Sequence, residues 1–201
     1  KARGDQCDSC GNLLDGTQLI NPRSRSNPAD KIEVRESEHY MFDLPALKER
    51  VLAYLADKDG FWRSTVTEFS RGYARDIEPR AFTRDLTWGI PIPVPDSEGK
   101  AIYVWWEAVL GYLTATVEWA KVSGQPEAWR DFWYGDNARI YNFIGKDNIL
   151  FHTVLWQSIL IGMGNLDAPW DKGEAEGRSL NLPYDVPANQ FMNLEAQKIS
   201  G

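Results

Sequence analysis

Several groups of residues combine type and spacing in ways that could do chemistry. Cys7 and Cys10 frame a Cys-Asp-Ser-Cys-Gly turn. Two thiolates at that separation can grip one tetrahedral ion, and Gly11 permits the tight turn. A structural zinc takes four ligands and the chain has only two cysteines, so the pair reads either as half of a zinc site or as an unmetallated turn. A redox role is disfavoured, because no thioredoxin-like strand–helix–strand pattern surrounds it. Gly145-Lys146-Asp147 stands where a strand-like run meets a helical one. Backbone N–H groups at a helix start suit an anionic or ribose-bearing ligand, with glycine allowing close approach. The plainer alternative is that Asp147 caps the helix. His152 follows among Leu150, Phe151 and Val154, where the ordinary reading is a satisfied core histidine. Trp105, Ala108 and Tyr112 could wall a flat apolar slot, or simply fill a core. Arg84-Asp85 reads as a surface ion pair and Lys198-Ile-Ser200 as a polar tail.

The elements that must position these groups follow from periodicity and punctuation. Residues 1–30 are rich in Gly, Asn, Pro and Ser and too poor in large apolar residues to build a core. Short extended signals fall at Ile32, Val34 and His39–Phe42. Asp43 two residues before Pro45 marks a helix start, and Leu44, Leu47, Val51, Leu52 and Leu55 follow at helical spacing until Gly60. A second helix is predicted from Ser64 to about Tyr73, before Pro79. Ala101–Trp105 is β-branched and aromatic, Ala108–Lys121 is helical, Ile140–Ile144 is strand-like, and an apolar helix starts near Asp147. Strand, helix, strand, helix predicts a parallel α/β sheet. Ligands gather at the carboxyl ends of such strands, which directs attention to Trp106–Glu107 and Gly145–Asn148. One more strand is expected over Asn189–Asn193.

Charge and composition narrow the classes. The formal net charge of −7 argues against a surface coated in positive charge for non-specific nucleic-acid binding. At 43% hydrophobic residues the chain is globular in character. No apolar run reaches the ~18 residues of a membrane span, since Ile149–Met163 is interrupted by His152, Gln157 and Ser158. No signal peptide is read at Lys1–Asp5, and the expected compartment is the cytoplasm.

Taken in order, four segments resemble the methionyl-tRNA synthetases, a family of class I aminoacyl-tRNA synthetases. They are Arg84-Asp-Leu-Thr-Trp-Gly-Ile-Pro-Ile-Pro93, Tyr103-Val-Trp-Trp-Glu-Ala-Val-Leu-Gly-Tyr112, Phe143-Ile-Gly-Lys-Asp-Asn-Ile-Leu-Phe-His152 and Asn193-Leu-Glu-Ala-Gln-Lys-Ile-Ser200. Residues 2–22 are similar to that family's zinc-knuckle insertion. The resemblance implies an α/β fold: the second half of a Rossmann-like parallel sheet with flanking helices, plus a small irregular knuckle module. It divides the chain into a partial knuckle and connective insertion (1–30), a mostly helical return (31–80) and the second half of the catalytic domain (81–201). The implied activity is activation of methionine with ATP and magnesium to methionyl-adenylate, then transfer to tRNA(Met).

The resemblance also assigns roles. Trp105, Ala108 and Tyr112 would wall the methionine pocket, with Asn148 and His152 facing them. Gly145 and Asp147 would contact the adenosine ribose, and Arg84 would organise the adenylate-forming state. Lys198 and Ser200 would begin a loop that steadies the phosphates, and Cys7 and Cys10 would be half of a zinc site. Val109, Asn148 and Gly201 depart from the family pattern, and Gly201 stands at the place of that loop's second lysine. Ser24 and Asn27 stand where some members have cysteines, so no second zinc is expected. The first half of the nucleotide-binding fold and the helical anticodon-binding domain lie outside these 201 residues, so the chain alone is expected to be inactive and to need the other half as its partner. Two other classes stay open. One is a class I synthetase for another aliphatic amino acid; the other is a non-enzymatic metal-knuckle interaction module.

Overall fold

A computed structural model describes Cys7, Leu14, residues 16–164 and 179–190, and the backbone of 193–194 and 197–198. Cys10 and Ser200 lie outside the described residues. The chain divides into two compact units, Lys1–Glu38 and His39–Gly201.

Among the described residues the first unit shows short-range polar contacts. Gly16–Gln18 forms one 3-10 turn. Ser24 Oγ accepts the Asn27 N–H at 3.2 Å, and Asn27 Oδ1 accepts the Ala29 N–H at 3.1 Å. The two positions weighed as cysteine replacements thus close a local turn through their own side chains. Cys7 is half-buried, and among the described residues no group of three His, Cys, Asp or Glu is placed to hold a metal.

The second unit is a mixed α/β arrangement of helices and two-stranded pairs. Strand β1 (Met41–Phe42) leads into a 3-10 turn at Pro45–Leu47, where Asp43 Oδ1 accepts the Ala46 N–H at 3.3 Å. Helix α1 (Lys48–Ala56) buries Val51 and Leu55, and α2 (Ser64–Arg75) packs against it through Val66, Ser70 and Ala74. Arg71 ties the pair, donating to Leu55 O at 2.8 Å and bridging Asp59 at 2.6 Å. Strand β2 (Arg80–Ala81) returns antiparallel to β1.

Strands β3 (Thr83–Asp85) and β4 (Lys100–Ile102) form an antiparallel hairpin. The run Ala101–Trp105 is therefore not a strand of the parallel sheet. Only its first two residues belong to a strand, and helix α3 (Val104–Val122) begins four residues before the predicted Ala108. β-Branched and aromatic residues favour strands only weakly, and burial decides. Here the ring of Trp106 is 3% exposed, stacked on Phe42 at 5.1 Å and tilted against Phe82 at 5.8 Å. Its Nε1 donates to Ala81 O at 3.1 Å. That anchorage draws Trp105 and Trp106 into the helix. Trp106–Glu107 is consequently a helical segment, not a turn at a strand end.

A short helix α4 (Trp129–Trp133) follows. The parallel pairing is carried by β5 (Ile144–Gly145) with β6 (Ala188–Asn189), extended by a bridge between Tyr141 and Asp185. Among the described residues, β5 pairs with β6 alone. After β5 come a 3-10 turn at Lys146–Asn148, a π-helical turn at Phe151–Leu155 and helix α5 (Trp156–Met163). This segment is the core: every residue from Ile149 to Ile161 is buried. Ser70 of α2 and Thr153 of the π turn share a buried hydroxyl contact at 2.6 Å. Side chains of α1 and of the turn after it bind the loop before β6: Tyr54 Oη donates to Pro183 O at 2.6 Å, and Trp62 Nε1 to Tyr184 O at 3.0 Å. The backbone pair β7 (Asn193–Leu194) and β8 (Gln197–Lys198) is antiparallel and closes the described chain.

Candidate functional site: an aromatic wall between helix α3 and the π turn

Trp105, Ala108 and Tyr112 lie three and seven residues along α3, so they share one face of the helix. Trp106, one residue on, points about a quarter-turn away into the core. The face of Trp105 looks onto the π turn. Its ring stacks on Phe151 at 4.3 Å with an interplanar angle of 16°. Two turns later, Tyr112 Oη lies 2.8 Å from His152 Nε2. The tyrosine ring also meets Trp156 at 6.2 Å. Tyr112 thus meets His152 and Trp105 meets its neighbour Phe151, and Ala108 stands exposed between the two α3 rings. A small residue there leaves a gap between large flat surfaces. Beside Tyr112 a cavity of about 530 Å³ continues between α3, α4 and residues 140–143, with Trp119, Phe132 and Phe143 in its wall.

The proton arrangement of the Tyr112–His152 pair follows from its partners. His152 Nδ1 is 3.0 Å from the Asn148 carbonyl, which only accepts, so Nδ1 carries the hydrogen. Burial lowers the His152 pKa from its ordinary value, partly opposed by that same backbone bond, and holds the ring neutral. Nε2 is then a lone-pair acceptor, and Tyr112 donates its O–H to it. Burial raises the Tyr112 pKa, which keeps that proton in place. The wall presents rings and a committed hydroxyl with no charge, a surface fitted to an uncharged, polarizable side chain. Asn148 contributes its backbone carbonyl to this arrangement.

A pH dependence follows. His152 has a lowered pKa when folded, so between that value and the ordinary 6.5 the unfolded chain binds the proton more readily. Stability from the neutral ring is full above 6.5 and is lost as pH falls toward the folded value. A protonated ring would also reverse the hydrogen bond, with Nε2–H donating to Tyr112. Apolar-ligand affinity is expected to decline as pH falls below 6.5 toward the lowered folded value. Titration of ligand KM against pH, with His152→Gln flattening the acid limb, checks this.

The remaining predicted residues lie around this wall. Arg84, in β3, donates to Thr83 O at 2.8 Å and stacks over Tyr103 at 4.0 Å, the residue that caps α3. It is therefore seated beside the start of α3, two residues from Trp105. Gly145 ends β5 in extended conformation, and a Cβ there would meet Asp147 Oδ1 at 2.7 Å. Glycine thus lets the Asp147 carboxylate fold back over the strand end. Lys198 is placed only through its backbone in β8, and Cys10 and Ser200 are not among the described residues. Sequence reasoning missed Phe151 as the partner of Trp105 and Gln157 as a support of the π turn. The available signal for the second was a polar amide inside an otherwise apolar run.

Comparison with known proteins places the chain in a family. The family described as tRNA synthetases class I (M) matches residues 1–201. A methionine–tRNA ligase of Thermomicrobium roseum is 50% identical over 200 residues, covering 99% of this chain and 32% of the relative. One from Chloroflexus aurantiacus is 47% identical over 205 residues, covering 100% of this chain and 34% of the relative. The chain therefore spans about a third of the length of the curated relatives it matches. In fold it is similar to Mycobacterium tuberculosis methionyl-tRNA synthetase bound by methionyl-adenylate, with a TM-score of 0.62 at 22% identity over 93% of this chain and 34% of that one. The chain belongs to the class I (M) tRNA synthetase family.

Proposed function

We propose that this chain supplies the amino-acid side of the catalytic domain of a methionine–tRNA ligase. The observation that carries the reading is the uncharged wall of Trp105, Phe151, Tyr112 and His152, set beside the strand end Gly145–Asp147. A linear thioether is recognised by ring contact, shape and exclusion of water more than by hydrogen bonds. Ala108 leaves room for it, and Asn148 fixes the His152 tautomer. In the full protein, the methionine carboxylate oxygen attacks the α-phosphorus of ATP, whose bond to the bridging oxygen breaks to release pyrophosphate. A terminal ribose hydroxyl of tRNA(Met) then attacks the adenylate carbonyl, and AMP leaves. Positioning and electrostatic stabilisation carry such a reaction without a covalent enzyme intermediate.

In this reading Gly145 and Asp147 hold the ribose, Arg84 steadies the adenylate-forming arrangement, and Lys198 and Ser200 act on the phosphates that accompany magnesium. Cys7 and Cys10 are two thiolates of a zinc site completed by other ligands. The edge of β5 that has no strand partner among the described residues, and the exposed rings of Phe143 and Trp119, are covered by the other half of the catalytic domain. No helix among the described residues is long and apolar enough to cross a membrane, and a cytoplasmic place accords with the proposed reaction. Charging of tRNA(Met) by the full-length protein tests the reading. Methionine is expected to be esterified and leucine and valine not; equal charging by leucine would contradict it.

A further inference from the structure

The π turn offers a feature that the proposed pocket does not explain by itself. In a regular helix the Trp156 N–H would bond the His152 carbonyl, four residues back. Here it bonds Phe151 O, five residues back. The His152 carbonyl instead accepts the side-chain Nε2 of Gln157 at 2.8 Å. Gln157 is 0% exposed, and its Oε1 has no hydrogen-bond partner among the described residues. A buried amide with one orphaned oxygen is unfavourable, and such groups persist where the other atom of the amide has a use. The only hydrogen bond the Gln157 side chain makes among the described residues is to the backbone of the residue whose ring meets Tyr112.

We infer that Gln157 is a positioning residue for methionine recognition: it holds the wide turn open at the His152 carbonyl and so fixes the His152 ring against Tyr112. This rests on the proposed methionine pocket. The register of one residue decides the outcome. If the turn relaxed to α-helical bonding, the Trp156 N–H would return to His152 O, and residues before it would rotate by about a quarter-turn relative to α5. His152 would then lose its aim at Tyr112, and Phe151 its overlap with Trp105. Nearby hydroxyls do not hold the turn in the same way. Thr153 Oγ1 bonds Ile149 O at 2.8 Å and Ser158 Oγ bonds Val154 O at 2.8 Å, each four residues back in ordinary helical fashion.

The test uses the full-length protein and methionine-dependent ATP–pyrophosphate exchange. The unsubstituted protein must first show exchange; its failure would count against the methionine-ligase reading and not against the role of Gln157. Gln157→Met keeps length and volume but removes the donor. It is expected to raise KM for methionine by about tenfold, the order of one buried hydrogen bond, with KM for ATP unchanged. In a His152→Ala background the same substitution is expected to have no further effect, because its influence passes through that ring. Gln157→Asn, one methylene short of the carbonyl, serves with the same expectations if Gln157→Met does not fold. An unchanged methionine KM in a folded variant would overturn the inference. So would an effect that persists undiminished without His152, or one that raises the KM values for methionine and ATP alike.

Discussion

Trp105→Ala in the full-length protein is expected to cut kcat/KM for methionine by about two orders of magnitude, ~3 kcal/mol, while leaving the fold in place. The indole is half-buried, and one of its faces lies on Phe151 at 4.3 Å. Removing it opens the slot to water and takes away one side of an aromatic pair. The loss should fall mainly on KM for methionine if the ring binds ground and transition states alike. Stability should change little, by ~1 kcal/mol, because the ring is already partly solvated. Exchange kinetics at varied methionine, with thermal unfolding alongside, separate the two effects.

Trp106→Ala should do the reverse. That ring is 3% exposed, packs on Phe42 and Phe82, and donates to Ala81 O. Truncation leaves a large void at the junction of β2 with α3 and removes one of the Ala81 carbonyl's hydrogen bonds, leaving that from Arg84 at 3.3 Å. The expected cost is about 3–5 kcal/mol, a large share of the stability of an ordinary domain. A drop of about 10 °C in the unfolding midpoint follows for a unit of this size. At low temperature the folded fraction should keep its methionine KM within a few-fold. Two adjacent tryptophans thus divide function from stability, because consecutive helical residues point to different faces. Equal losses of stability in both variants would show that the two faces are not separated in this way.

How much of this was legible in the sequence depended on how local the signal was. Helices α1 and α2 were readable from apolar spacing and from Pro45, Gly60 and Pro79. The meeting of Trp105, Tyr112 and His152 came from the family resemblance, and the structure supplies its geometry. The start of α3 is not legible because Ile102, Val104 and the two tryptophans carry strand-like propensity, whereas tertiary packing of Trp106 pulls the run from Val104 onward into a helix. Ala101–Trp105 does not pair in parallel: β4 answers to its hairpin with β3, and among the described strands the parallel pair is β5 with β6. The π turn was invisible, since a single extra residue per turn leaves the apolar pattern of Ile149–Met163 unchanged. Its one trace was Gln157, a polar side chain where the pattern asks for an apolar one.

The proposed selectivity for methionine rests on the wall between α3 and the π turn. ATP–pyrophosphate exchange by the full-length protein, with methionine, leucine and valine side by side, tests it most directly. Methionine is expected to support exchange at least about a hundredfold better in kcat/KM than either branched side chain, and Trp105→Ala to erase most of that margin. Exchange that proceeds as well with leucine as with methionine, or a margin that survives loss of Trp105, would contradict it.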